Sequence, residues 1–230
     1  MNFTALEKKI GIVFKNKELL TEALTHRSYL NENPDAKLRH NERMEFLGDA
    51  VLEIIVTEFL FHKYPDKEEG PLTSLRAALV NYIMLSQIAK EITLDDFILF
   101  SKGEAKDKGK AREVILANAM EALIGALYLD EGYDKAKKFI YEFITPKIDI
   151  VLKEELYRDA KSWLQEIVQE KNKVTPMYKV LGEKGPDHEK EFLVGVYISD
   201  KLLAEGLGAS KQEAERNAAQ NALDKIKASN

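Results

Sequence analysis

The chain has 230 residues, 45% of them hydrophobic and 32% charged, with a net charge of −5 and no cysteine. That length supports one or two domains with a sizeable core, and the absence of cysteine excludes disulfides and thiolate zinc sites and fits a reducing, cytoplasmic setting. The N-terminus lacks a charged-then-apolar leader pattern and no apolar run reaches the roughly 20 residues of a membrane span, so no membrane partner is expected.

In chain order, residues 3–13 and Lys17 to Thr25 read as short helices, the second leading into Leu24-Thr25-His26-Arg27-Ser28-Tyr29. A polar loop from Asn31 to His40 precedes an amphipathic helix that opens at Asn41-Glu42-Arg43-Met44-Glu45-Phe46-Leu47-Gly48-Asp49-Ala50-Val51-Leu52 and continues to Phe61. Phe46, Leu47, Val51, Leu52, Ile54 and Ile55 recur at helical spacing and are expected to face a core. Tyr64-Pro65-Asp66 and Glu69-Gly70-Pro71 read as turns, with Thr73 or Ser74 capping a helix through Asn81 and beyond. Residues 93–100 read as an irregular link, and Ser101 to Arg112 as an exposed, mobile loop rich in lysine and glycine. A second strongly apolar helix runs from Val114 to Leu129. Asp134 caps a helix to about Phe143, and Pro146 opens one to about Leu156. The pattern then changes. A helix from Asp159 to Lys171 is followed by strands at Met177 to Leu181, Glu191 to Ile198 and Lys201 to Gly208. A last helix, Lys211 to Lys227, is introduced by an S-x-x-E capping box at Ser210 and Glu213. This α-β-β-β-α order is a self-contained α+β module.

Two constellations carry chemistry. Glu42, Glu45 and Asp49 lie three and four residues apart and share a helical face. Such a face is ordinarily solvated, yet these carboxylates lie inside a strongly apolar segment, where like charges repel unless a cation sits among them. Asn118 and Glu121 repeat the pattern on the second apolar helix. If the two helices pack, their oxygens converge into the donor set that a hard cation such as Mg²⁺ takes, with substrate phosphate completing the shell. The alternative is a pair of acidic helix surfaces with no shared partner. In the charge distribution, residues 1–157 carry 22 Lys+Arg against 27 Asp+Glu, while residues 158–230 carry 12 of each. A neutral second module with clustered lysines is compatible with a nucleic-acid partner, which needs a local basic patch rather than a basic chain.

The stretch Asn41 to Leu52 resembles the signature of the ribonuclease III family, close to N-E-R-L-E-F-L-G-D-[SA]-[VI]-L, with Met44 as the one departure. Leu24-Thr25-His26-Arg27-Ser28, Glu69-Gly70, Leu75-Arg76-Ala77 and Ala122-Leu123-Ile124-Gly125-Ala126 agree with it. Residues 158–226 resemble a double-stranded-RNA-binding domain at Gly185-Pro186-Asp187-His188 and Ser210-Lys211-Gln212-Glu213-Ala214-Glu215. The resemblance implies an all-α endonuclease domain over 1–155, followed by a small α+β double-stranded-RNA-binding domain over 158–228.

It also implies a homodimeric Mg²⁺-dependent endonuclease, with Mn²⁺ as a substitute and no small-molecule cofactor. Such an enzyme cuts both strands of duplex RNA, leaves 5′-phosphates with short 3′ overhangs, and processes ribosomal, messenger and transfer RNA precursors. On that reading Glu45, Asp49, Glu121 and position 118 hold the metal, and Asp49 and Glu121 are the catalytic pair. Glu42 and Glu69 line the RNA cleft, and Phe46 and Leu47 contribute to the dimer interface. Gln165, Glu166, Pro186 and His188 match minor-groove contacts, and Lys211 puts a cation beside a helix N-terminus facing phosphate. Gln212 stands where the family usually has lysine, with Lys184, Lys190 and Arg216 available to compensate.

One departure bears on activity. Asn118 occupies a position where the family has aspartate, and an amide keeps one carbonyl oxygen but loses the charge and the second equivalent oxygen. It is either a natural variation or an exchange that blunts cleavage, and it predicts a chain that binds duplex RNA but cleaves it slowly or not at all. Two other readings follow from the same residues: a catalytically inactive RNA-binding variant, and a helical dimerisation protein carrying an appended RNA-binding domain.

Overall fold

Apolar residues at helical spacing become helix through the first two thirds of the chain. The computed structural model describes residues 2–104, 109–186 and 190–228, and the chain divides into two compact units, 1–157 and 158–230. Among the described residues no helix is long and apolar enough to cross a membrane.

The first unit is helical: α1 (Thr4–Ile10), α2 (Lys17–Ala23), α3 (Arg27–Glu32), α4 (Glu42–Lys63), α5 (Glu69–Val80), α6 (Tyr82–Glu91), α7 (Lys110–Glu131), α8 (Tyr133–Phe143) and α9 (Ile148–Lys153), with 3₁₀ turns at Leu94–Phe97 and Thr145–Lys147. α7 is apolar nearly all round, with Ile115, Leu116, Ala119, Met120, Leu123 and Ile124 buried. A helix of that composition belongs at the centre, and α2, α4, α6 and α8 pack around it.

The structure changes several expectations. Glu69-Gly70-Pro71 is the first turn of α5 rather than a loop before it. The first N–H groups of a helix have no intrahelical partner, so a proline there removes nothing the helix needs. α5 does not continue past Asn81, whose extended backbone (ψ 159°) ends it. The Asn81 side chain serves both neighbours, donating to the Ala77 and Ala78 carbonyls and accepting from Met84 N–H at the start of α6. α3 adds a helical turn, with His26 Nδ1 accepting from Ser28 N–H. α7 starts at Lys110, taking over the end of the expected lysine-rich loop; residues 105–108 of that loop lie outside the described residues.

The second unit is α10 (Ala160–Asn172), an antiparallel sheet β1 (Met177–Lys184), β2 (Glu191–Ile198) and β3 (Lys201–Gly208) in the order β1-β2-β3, and α11 (Lys211–Ala228). Its core joins Leu164 and Val168 of α10, Val196 and Ala204 of the sheet, and Ala218, Ala219, Ala222 and Leu223 of α11. The capping box forms as Glu213 N–H donating to Ser210 Oγ, while the Glu213 carboxylate accepts from Ala209 N–H. Asn217, Asn221 and Lys225, four apart on α11, donate to the carbonyls of Leu207, Glu205 and Leu203. One helical row thereby satisfies alternate carbonyls of edge strand β3 and blunts its capacity to pair with another chain.

Candidate functional site

The acidic site is made by the crossing of α4 and α7, and two glycines set the distance of approach. A Cβ on Gly48 would overlap the backbone carbonyl of Glu121, and one on Gly125 would overlap that of Met44. With no side chain at either position the helices meet backbone to backbone. The faces beside the crossing, Glu45 and Asp49 on α4 and Asn118 and Glu121 on α7, are drawn together.

The electrostatics record that proximity. Burial is the main influence on all three carboxyls. It raises Glu121 to about 8, with the charges of Asp49 and then Glu45 adding to the effect. Glu45 is raised by burial, then by Glu42 and Asp49, while a hydrogen bond from the Asn118 amide pulls it back. Asp49, the exposed member, is raised by burial and by Glu53 one turn on. Like charges on two helices therefore oppose one another's ionisation.

The donor set suits a hard divalent cation on its chemistry: three carboxylates and an amide oxygen, with a repulsion that a cation would relieve. Among the described residues no three His, Asp or Glu side chains stand in the arrangement of a metal-ligand group.

Other expected residues are placed differently. Glu42 is turned toward Arg27 (Nη1 at 3.3 Å) and His40 (Nδ1 at 3.7 Å), while its charge still acts on Glu45. Glu69 does not join the cluster. It lines a groove of about 480 Å³ with Thr57, Leu60, Phe61, Lys67, Leu72, Thr73 and Arg76, and Thr57 is roughly 12 Å along α4 from Asp49 at the helical rise. Val51, Leu52 and Ile55 enter the core as expected, and Leu47 is half-buried against it. Phe46 and Ile54 do not: they are 81% and 60% exposed and form, with Phe61 at 65%, an apolar stripe on the outer side of α4. A 22-residue helix has room for two apolar faces, and only one of them meets α7.

In the second unit Gln165 and Glu166 stand exposed on α10, and Pro186 and Lys211 are exposed as well. His188 lies outside the described residues. Lys161, on the same helix as Gln165, pairs with Glu215 of α11 at 2.6 Å. Glu183 gathers the cations around the β1–β2 connection, approaching Lys190 at 3.3 Å and Lys211 at 3.7 Å. Sequence reading missed the paired roles of Gly48 and Gly125 and the part of Glu183. For the glycines a signal existed, a glycine beside the acidic residues on both apolar helices; for Glu183 there was none, because its partners are seven and 28 residues away.

Residues 16–148 match the model of a ribonuclease-III-like family, and residues 160–226 match a double-stranded RNA binding motif. The chain is 46% identical over 221 residues to Ribonuclease 3 of Bdellovibrio bacteriovorus, covering 96% of this chain and 94% of that one. It is equally identical over 226 residues to Ribonuclease 3 of Carboxydothermus hydrogenoformans, covering 98% and 96%. Among solved structures, a nuclease domain of ribonuclease III from Campylobacter jejuni, described for flexibility in a region involved in dimer formation, superposes with a TM-score of 0.57 at 45% identity, covering 63% of this chain and 97% of that one. A helical unit crossed at an acidic site, an α-β-β-β-α unit following it in the chain and 46% identity to such enzymes over nearly the full length lead to one conclusion: the chain belongs to the ribonuclease III family, as an endoribonuclease with a double-stranded-RNA-binding domain.

Proposed function

We propose that the chain hydrolyses duplex RNA at the α4–α7 crossing with Mg²⁺, or Mn²⁺ in its place, held by Glu45, Asp49, Glu121 and the Asn118 amide oxygen. What supports this reading is the glycine-lined crossing of α4 and α7, at which the charges of Asp49 and Glu45 act on the buried Glu121 carboxyl. When bound, the cation supplies positive charge to the phosphodiester and to the charge that develops on it. Asp49, the most exposed of the three, orients the attacking water and accepts its proton. Glu121 and Glu45 fix the geometry from the buried side. Attack at phosphorus breaks the P–O3′ bond, leaving a 5′-phosphate on one fragment and a 3′-hydroxyl, with the proton on O3′, on the other.

Duplex RNA is gripped by its shape, through phosphates and the 2′-hydroxyls of the shallow groove. Gln165, Glu166, Pro186, His188 and Lys211 take that part in the second unit, and Glu42 and Glu69 line the cleft of the first. The outer stripe of α4 supports a homodimer: Phe46, Ile54 and Phe61 are apolar and exposed, a face that a second copy would cover. The Campylobacter nuclease domain, similar to this chain, is described in terms of dimer formation. Two copies would cut one strand each and leave short 3′ overhangs, as in the processing of ribosomal, messenger and transfer RNA precursors in the cytoplasm.

A second reading, a duplex-RNA binder with little cleavage, is favoured by Asn118. Its amide acts on the Glu45 carboxyl by hydrogen bonding, pulling it back toward its ordinary value, and it brings no negative charge to the cation. We expect Asn118→Asp to raise Mg²⁺-dependent cleavage of long duplex RNA at least tenfold, with duplex affinity in EDTA unchanged. Equal turnover of the two proteins would refute the impairment.

A further inference from the structure

The second unit has as many acidic as basic residues, so which cations are held by acids matters for an RNA-binding face. Glu183, near the end of β1, has one carboxylate oxygen 3.3 Å from Lys190 Nζ and the other 3.7 Å from Lys211 Nζ. These lysines stand at the far end of the β1–β2 connection and at the first position of α11. Gln212, next to Lys211, adds no charge.

We propose that Glu183 limits the affinity of this protein for duplex RNA, its carboxylate competing with backbone phosphate for Lys211 and Lys190. The inference rests on the placement of Lys211 at the RNA backbone. The sign follows from three observations. All three side chains are partly exposed, so their ion pairs are weak and phosphate can displace the carboxylate. A displaced carboxylate then remains within a Debye length of the phosphate, about 8 Å at physiological salt, and repels it. Lys211 does not need Glu183 for its placement, because its Nζ also lies 5.6 Å from the centre of the Phe192 ring and its backbone opens α11. Removing the carboxylate therefore releases the charge of Lys211 without releasing the side chain that carries it.

The test uses the full chain in EDTA, titrated into a labelled blunt RNA duplex of about 24 base pairs, longer than the roughly 16 that such a domain spans. Anisotropy is read over a range of KCl concentrations. Glu183→Gln, near-isosteric and exposed, is expected to tighten binding about threefold to tenfold and to steepen the dependence of log K on log salt by up to about 0.9 per phosphate newly neutralised. In a Lys211→Gln background the gain should shrink by at least half. If Lys211→Gln weakens binding while Glu183→Gln leaves it unchanged or weaker, the competing role is overturned and the placement of Lys211 stands. If Lys211→Gln changes neither affinity nor salt slope, the placement fails and the role of Glu183 with it.

Discussion

Glu121→Gln tests the electrostatics of the α4–α7 crossing without reference to catalysis. In the metal-free protein the Glu121 carboxyl is raised from an ordinary 4.5 to about 8, first by burial and then by Asp49 and Glu45. The unfolded chain releases this proton near 4.5 and the folded chain holds it to about 8. Between those values the native state binds more protons than the unfolded state, so stability falls as pH rises. At face value the shift is about 5 kcal/mol, and partial solvent access and relaxation of the site reduce this to about 1–3 kcal/mol. Glutamine has nearly the same shape and no charge to lose. Relative to the parent chain, Glu121→Gln should therefore gain about 1–3 kcal/mol between about pH 5 and about pH 9 in EDTA, while losing cleavage activity. Urea unfolding followed by far-UV circular dichroism reads the helices of both units, and the fluorescence of Trp163, the single tryptophan, reads the second unit alone, so a transition seen only by circular dichroism belongs to the first. Mg²⁺ should flatten the pH dependence of the parent chain and not that of the variant. A stability difference between parent and variant that stays constant with pH would refute the reasoning, as would one that moves in favour of the parent at high pH.

Two further expectations follow from the same helices. Gly48→Ala places a methyl group on the Glu121 carbonyl, and forcing the crossing apart should cost about 3 kcal/mol or more in urea unfolding and abolish cleavage together; a stable, active Gly48→Ala chain would show that the close approach is not needed. Phe46→Ala removes an 81% exposed ring, so it should leave the stability of an isolated subunit within about 0.5 kcal/mol while weakening self-association roughly 30-fold or more by sedimentation, the effect of losing an interface anchor of about 2 kcal/mol.

The sequence carries the acidic site in a form that can be read locally, because carboxylates at helical spacing inside apolar helices are unusual whatever the rest of the chain does. It carries the crossing less legibly. Gly48 and Gly125 are 77 residues apart, and although each lies near acidic residues on an apolar helix, neither helix says that the other is the one that approaches it. The expected core of α4 was wrong at Phe46 and Ile54 for a related reason. Hydrophobicity says that a side chain leaves water, not which chain covers it, and a face reserved for a partner has the same periodicity as a core face. The breaks within the helical unit misled in opposite directions. Pro71 looked like a stop and lies in a first turn where a missing N–H is harmless, whereas Asn81 lies in an unbroken helical pattern and stops α5 by bonding to both helices. Asn118 shows the limit most clearly. Its departure from a family pattern was visible in the sequence, but its hydrogen bond to Glu45 depends on the α4–α7 crossing. An amide that holds a neighbouring carboxylate does more than vacate one metal position, since it also alters the charge of the group beside it. Restoring aspartate at 118 would therefore change two donors together, and the effect on cation affinity should exceed that of a single ligand charge.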